Sequence, residues 1–275
     1  MTTNGGIAAV DLTSGATRWT TTVAGKPLAL VGNLLVVQLE PRAQGNRLGI
    51  ASLRTQLRGE RASSDSVILP AGVRVSLGET LHGTFNLTAQ PMGSDVTLLW
   101  TFVPAPKRGM EDEADSLTRA TTIAGRPLIR RGLLRVRPST GAITQLDTSR
   151  APLPREPLWI LPAEAKIPGA APTQYESADG RHVVASERVG DERVWDKYRW
   201  TIYERGGRRL GEFRTHISFT PFVVLDSLVI FETTPYERAG QAAEPAKLRA
   251  FSLASGREVW GVPVREVVFR GPYPP

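Results

Sequence analysis

The sequence has no cysteine, only three histidines and three methionines, and no apolar run long enough to form a membrane helix. The missing cysteines exclude a disulfide framework, a thiolate zinc site and a cysteine nucleophile. A spanning helix needs about 20 consecutive apolar residues, and no segment supplies them. The amino terminus, Met1-Thr-Thr-Asn-Gly-Gly6, lacks the basic region, apolar stretch and cleavage site of a signal peptide. Read literally, it predicts a soluble, cytoplasmic chain if Met1 is the true start. His82, His182 and His216 show no His-x-x-x-His or Glu-x-x-His spacing, so no metal centre is expected at them. There is no Gly-x-Ser-x-Gly elbow, phosphate-cradling Gly-Lys-Ser/Thr loop or Gly-x-Gly-x-x-Gly.

Charge is also short of a pattern. The 34 Lys+Arg against 27 Asp+Glu give +7, spread along the whole chain, and the compact basic pairs are Arg130-Arg131 and Arg208-Arg209. Two residues do not make a phosphate track, so no nucleic-acid partner is expected. The acidic cluster Glu111-Asp112-Glu113-Asp115 lacks the alternating ligands and glycine of a calcium loop and reads as a solvated loop face. Asn86-Leu87-Thr88 fits a glycosylation acceptor, which matters only in a secreted eukaryotic protein.

What is present is a folded, turn-rich composition: 275 residues, 41% apolar and 22% charged, with 26 Gly and 21 Pro. It also repeats. Thr21-Thr-Val-Ala-Gly-Lys-Pro-Leu28 recurs as Thr121-Thr-Ile-Ala-Gly-Arg-Pro-Leu128, with Gly32/Gly132, Leu34/Leu134 and Val36/Val136 continuing the match. Ala9-Val-Asp11-Leu-Thr-Ser-Gly15-Ala-Thr-Arg-Trp19 recurs as Ala250-Phe-Ser252-Leu-Ala-Ser-Gly256-Arg-Glu-Val-Trp260, and weaker relatives surround Gly141 and Gly207. Each reads as strand, glycine turn, strand. Prolines that open apolar runs, Pro27, Pro70, Pro127, Pro172, Pro221 and Pro272, stand 43 to 57 residues apart. A four-stranded propeller blade has about that period, roughly 40 to 50 residues.

Short β-branched and aromatic runs such as Leu34–Leu39, Val96–Val103, His182–Ser186 and Phe222–Phe231 support strands, and no helical periodicity persists. At most, Glu111–Leu117 forms one helical turn. The expected fold is all-β: one domain over 1–275, a β-propeller of four-stranded antiparallel blades, with about five full blades and a partial blade shared by the termini. Residues 1–26 supply only the last two strands of a blade, and 265–275 at most the first strand of another. That predicts either ring closure by the two ends or a truncated larger propeller with a misplaced start. Segments 104–116, 149–172 and 235–247 are read as long loops on one rim or the other.

The Ala-x-Asp-x-x-x-Gly-x-x-x-Trp motif at Ala9–Trp19, repeated with Ser252 for Asp at Ala250–Trp260, resembles that of the pyrroloquinoline-quinone-repeat propellers, the quinoprotein-dehydrogenase-like family. The resemblance implies that Trp19 and Trp260 dock between neighbouring blades. Gln145 stands at the equivalent place after Gly141, so that interface must be filled otherwise. Trp100, Trp159, Trp195 and Trp200 lack the repeat's explanation; Trp159 and Trp195 sit in or beside variable segments, where they are core or interaction anchors. A working quinoprotein of this family uses Ca²⁺ ligands, a catalytic Asp and often a vicinal cysteine pair. The cysteines are absent, and no segment aligns with the Ca²⁺ ligands. No catalytic, cofactor or metal residue is assigned, and no cofactor is expected. The resemblance points to a non-catalytic, periplasmic or extracytoplasmic scaffold that binds proteins through rim loops. The alternative is a degenerate or truncated quinoprotein oxidoreductase using pyrroloquinoline quinone with calcium.

Overall fold

The structure, a computed structural model, describes residues 2, 5–41, 45–80, 82–105, 122–123, 126–127, 129–147, 160–163, 167–177, 180–190, 196–217, 222–233 and 244–265. Among these, every regular element is a β-strand apart from a 3-10 turn at Thr55–Leu57. The chain divides into two compact units, one of residues 1–9, 17–156 and 267–275, the other of residues 10–16 and 157–266.

The strands form antiparallel meanders, the form of a propeller blade. β1 (Ile7–Val10) and β2 (Thr17–Thr21) make a two-stranded sheet. β3 (Ala24–Val31), β4 (Leu34–Leu39), β5 (Arg47–Arg54) and β6 (Glu60–Ile68) follow as a four-stranded sheet in chain order. The next sheet runs β7 (Glu79–Thr80), β8 (Gly83–Met92), β9 (Asp95–Pro104), β12 (Arg130–Val136) and β13 (Ile143–Leu146). β10 (Thr122–Ile123) and β11 (Arg126–Pro127) form a two-stranded sheet, with no further strand among the described residues. In the second unit, β14 (Ile160–Ala163), β15 (Thr173–Ser177), β16 (His182–Arg188), β17 (Tyr198–Glu204) and β18 (Arg209–Thr215) form one sheet. β19 (Phe222–Leu225), β20 (Leu228–Thr233), β21 (Lys247–Ser252) and β22 (Glu258–Pro263) form the other.

Interior strands read as continuous apolar runs because both of their faces are covered. In β4, Val36 joins a cluster with Leu98, Trp100 and Phe102, while Val37 joins Ile7, Ala51 and Leu53 on the opposite face. In the second unit, Trp200, Phe213, Phe222 and Phe231 fill the space between the β15–β18 and β19–β22 sheets. Phe213 stacks on Phe231 with ring centroids 5.7 Å apart, and the Trp200 indole donates to the Ile217 carbonyl at 3.1 Å.

The described strands give four large sheets where the proline spacing predicts five blades and a shared one. With strands counted within each four-stranded meander, the added edge strands β7 and β14 set aside, Pro172 and Pro27 do mark first strands, just before β15 and within β3. Pro70 does not. Val73 and Val75 alternate like a strand and are buried, but the backbone there bonds to Gly45 through the Val75 amide, and the Ser76 carbonyl accepts from Gln38. Pro127 lies in β11, and β12, which carries the copied Leu134 and Val136, is the third strand of a sheet, whereas β4 is the second of its own. The two copies therefore share the burial of an interior strand, not a position in a blade. Gly32 sits in a two-residue turn at φ 57°, but Gly132 lies mid-strand because a Cβ there would come within 2.6 Å of the Trp100 indole nitrogen. Segment 149–172, expected as loop, contains β14. The helical turn expected at 111–117 lies outside the described residues, as do residues 266–275.

The second motif, by contrast, keeps one geometry in three of its four copies, the turn at Gly207 being one residue tighter. In three hairpins an amide bonds the carbonyl five residues on, and the turn glycine bonds back: Asp11 with Ala16 and Gly15, Arg137 with Ala142 and Gly141, Ser252 with Arg257 and Gly256. The glycines hold φ of 71°, 83° and 66°, a region that costs an L-residue roughly 1–2 kcal/mol. Asp11 further fixes its turn by accepting from the amides of Thr13 and Ser14; Ser252 accepts more weakly, at 3.3 Å, from Ser255.

These turns are also docking seats. In the first unit, a Cβ on Gly59 would meet the Trp19 ring at 2.8 Å, and one on Gly141 would meet the Ser63 Cβ at 3.1 Å. In the second, a Cβ on Gly15 would meet Trp260 at 2.7 Å. The docked residue lies four positions after a turn glycine: Trp19 after Gly15, Ser63 after Gly59, Trp260 after Gly256. Ser63 Oγ donates to the Pro138 carbonyl at 2.8 Å and Trp260 Nε1 to the Leu12 carbonyl at 2.9 Å, each three residues before the receiving glycine. Gly211 follows Gly207 by four and lets the Leu253 carbonyl pack against the backbone, since a Cβ would come within 2.0 Å of that oxygen. Gln145, in contrast, is exposed.

Two glycines separate the causes. Gly15→Ala meets both the left-handed backbone and the Trp260 ring and should cost about 2–4 kcal/mol. Gly32→Ala, with nothing within 4 Å of a Cβ, should lose only the backbone part, about 1 kcal/mol. Urea midpoints of the two variants check this, and equal shifts would show that the Trp260 seat contributes nothing.

Candidate functional site

Each meander has two unlike ends. At one end lie the connections between first and second and between third and fourth strands, none longer than six residues: 32–33, 55–59, 93–94, 137–142, 178–181, 205–208, 226–227 and 253–257. At the other end lie 40–46, 105–129, 189–197 and 234–246, together with 69–78, 147–159, 164–172 and 216–221. All three segments read from sequence as long loops attach at this second end. Surface loops on a rigid scaffold are where binding residues concentrate, so in every sheet the loop-bearing end is the candidate face.

Buried glutamines pin described loops there. Gln174, 2% exposed, accepts from the Ile167 amide at 3.0 Å through Oε1 and donates through Nε2 to the Ile167 and Ala171 carbonyls, both at 3.1 Å. Gln38, 1% exposed, donates to the Ser76 carbonyl at 2.9 Å. Lys26, near the same end of β3, donates to the Leu87 carbonyl at 3.5 Å, and burial holds its ammonium below the ordinary lysine value.

In the second unit a charged group runs from this end into the β21–β22 pair. Glu244 receives Arg249 Nη2 in a close ion pair and lies 3.2 Å from Lys247 Nζ; Arg249 Nη1 donates to Glu258 at 2.6 Å. The Arg249 side chain is only 13% exposed. His216, which follows β18, is held below the ordinary imidazole value by burial first and then by the Arg249 charge, against the opposing pull of Asp196 and Glu244. Glu232 in β20 is raised by burial. Sequence reasoning missed this group because its members come from separate elements. It reads as a structural ion network: among the described residues no set of three His, Asp or Glu is arranged to hold a metal.

The residues singled out from sequence do not converge. His182 opens β16 at the short-turn end, His216 stands at the loop-bearing end, and exposed His82 belongs to the other unit. Trp100 and Trp200 are core residues. Asn86 lies half-buried within β8, paired with Thr101, a poor place for a glycan. Arg208 pairs with Glu204 and Arg209 with Glu212, which leaves the basic doublet largely neutralised. Trp159, Trp195 and the 111–115 acids lie outside the described residues.

No protein family and no curated protein matches the sequence. Among solved structures, the chain is similar to the apo form of the isopeptidase AtxE2, at 11% identity and TM-score 0.38, over 94% of this chain and 42% of that one. It is also similar to the quinohemoprotein alcohol dehydrogenase ADHIIG of Pseudomonas putida HK5, at 9% identity and TM-score 0.21, over 94% and 56%. A third is Trypanosoma rangeli sialidase, at 9% identity and TM-score 0.24, over 94% and 41%. The chain thus spans about half the length of these proteins or less, and likenesses of this strength carry no residue role across.

Two measurements examine the loop-bearing end. Gln174→Leu would take the acceptor from the buried Ile167 amide and leave the Ile167 carbonyl only the Ala170 amide at 3.3 Å, and should cost about 1–3 kcal/mol in chemical unfolding. The His216 shift has a definite sign: a folded value below the ordinary 6.5 contributes stability that is full above that value and lost as pH falls through it. The wild type should therefore lose more stability than His216→Gln between pH 7.5 and 5.5; parallel profiles would contradict the burial of a neutral imidazole.

Proposed function

We propose that the chain is a non-catalytic binding protein, its sheets the blades of a β-propeller, with protein partners held at the loop-bearing ends of the sheets. The observation that carries this reading is the segregation of connections: every one longer than six residues lies at the same end of its sheet, and the opposite end is closed by short turns, of which those at Gly15, Gly59 and Gly141 serve as sheet-to-sheet seats. The motif tryptophans support it. Trp19 and Trp260 are committed to packing on Gly59 and Gly15, so neither is free to stack on a flat cofactor.

The motif resemblance supports reading the protein as one of the scaffold branch of the quinone-repeat propellers, working in the bacterial cell envelope. Fold alone does not fix function, so the alternative, a quinoprotein oxidoreductase, is separated by experiment. Against pyrroloquinoline quinone with calcium speak the charged group around Arg249, which is internally paired, and the lack, among the described residues, of any three His, Asp or Glu placed to hold a metal.

Titration with the quinone and calcium should leave the melting temperature and the quinone spectrum unchanged. A ligand that binds only the native state must raise its stability, by about 2.7 kcal/mol at a hundredfold excess over Kd, so a saturable rise in melting temperature would overturn the binding-protein reading.

A further inference from the structure

We propose that the open edge of β19 receives an added strand from a partner protein: an extended segment with aliphatic side chains at alternate positions, laid antiparallel beside Phe222–Leu225. This rests on the binding-protein reading and names a surface and a partner chemistry for it. β19 pairs with β20 on one side, and among the described residues nothing pairs on the other.

The hairpin fixes which groups face that edge. Leu225 and Leu228 flank the two-residue turn Asp226-Ser227, and the pair closing such a turn exchanges hydrogen bonds. Alternation then pairs Val223 with Ile230 in the same way. The amides and carbonyls of Phe222 and Val224 are left pointing outward.

The molecule itself shows what such an edge accepts. β15 holds the first-strand position in its meander that β19 holds in the next, and β15 carries a fifth strand, β14, of four residues, in register from Ile160 against Ser177 to Ala163 against Gln174. In the first unit, β7 adds to β8 in the same place. β19 also has four residues and, among the described residues, no such neighbour.

Side chains indicate the chemistry of the occupant. Val223 and Leu225 pair with Ile230 and Leu228 and so continue the apolar face that also includes Leu248, Ala250 and Trp260. The outer half of that face is covered, with Trp260 bonded to Leu12 of the 10–16 turn. The inner half is not: Val223 is 45% and Leu225 36% exposed. Exposed edges are normally guarded by charge or proline. β3 has Lys26 and Pro27, β18 has Arg209 and Glu212, and β22 has Glu258 and Pro263, whereas Phe222-Val-Val-Leu225 has neither. An aliphatic strand would satisfy the outward backbone groups and cover both side chains, the mode called β-augmentation.

The test uses the full chain and the peptide acetyl-Lys-Val-Thr-Val-Thr-Val-Lys-amide, with an N-methyl-valine version as control. Amide exchange at Val224 should slow about tenfold or more with saturating peptide, as for a newly bonded strand amide; the N-methylated peptide should leave it unchanged. Val223→Lys/Leu225→Lys, two exposed positions, should abolish the protection while the thermal unfolding curve stays cooperative. Unchanged exchange at Val224, or equal protection by both peptides, would overturn the proposal. Protection that rises with protein concentration in the absence of peptide, together with a dimer in sedimentation, would assign the edge to a second copy of the chain and overturn the partner-strand reading. The binding-protein reading stands or falls separately, by whether a partner cross-linked at the loop-bearing ends is lost when residues 106–120 are replaced by a short Gly-Ser linker, since Val223→Lys/Leu225→Lys leaves those ends intact.

Discussion

A turn glycine in the left-handed region, lying under a residue from the adjacent sheet, is the contact on which each unit depends. It does two things at once. Positive φ lets the third and fourth strands reverse in a short turn, and the missing side chain lets the neighbouring sheet approach to a distance no Cβ would permit. Trp19 on Gly59 and Trp260 on Gly15 fill that space with an indole, Ser63 on Gly141 with a hydroxymethyl, and at Gly211 the backbone itself closes onto the Leu253 carbonyl. Size is traded between the two sides of each seat while the hydrogen bond to the carbonyl three residues before the glycine persists at Pro138 and Leu12. A constraint set by the approach of two backbones is thus satisfied by unlike side chains.

That constraint also sorts the rest of the chain. Short turns must be tight to serve as seats, so insertions collect at the opposite end of each sheet, where no seat is needed. Loops there still carry backbone polar groups that must be paired, and Gln38 and Gln174 do this from inside the sheets. The Arg249 network plays a related part between strands and connections, holding a nearly buried guanidinium between Glu244 and Glu258.

The all-β class and the strand–glycine–strand hairpins were legible in the residues, because each depends on local pattern: β-branched runs and a glycine at a fixed offset; the packing of Trp19 and Trp260 was implied by the motif's resemblance to a known family and not by the pattern itself. The number of sheets was not legible. Pro70-Ala-Gly-Val-Arg-Val75 has the alternation of a strand, but the Val75 amide bonds to Gly45, and the flanking Leu69 and Ser76 bond to Asn46 and Gln38, rather than to a ladder. The copied segments at 21–36 and 121–136 look like equivalent blades, yet similarity there records two-sided burial, which any interior strand shares. The polar groups at the loop-bearing end were invisible for a different reason: Asp196, His216 and the Glu244–Arg249 pair come from separate stretches of the sequence, and only the fold brings their charges together.

What the sequence alone determined is therefore local: which stretches extend, where the chain reverses, and which residues must be small or large at a seat, since sterics act between neighbours along the chain and across one turn. Which strand pairs with which, which end of every sheet carries the insertions, and which edge is left open at β19 were decided only by tertiary structure, because backbone hydrogen bonds between strands are indifferent to the side chains that the sequence displays.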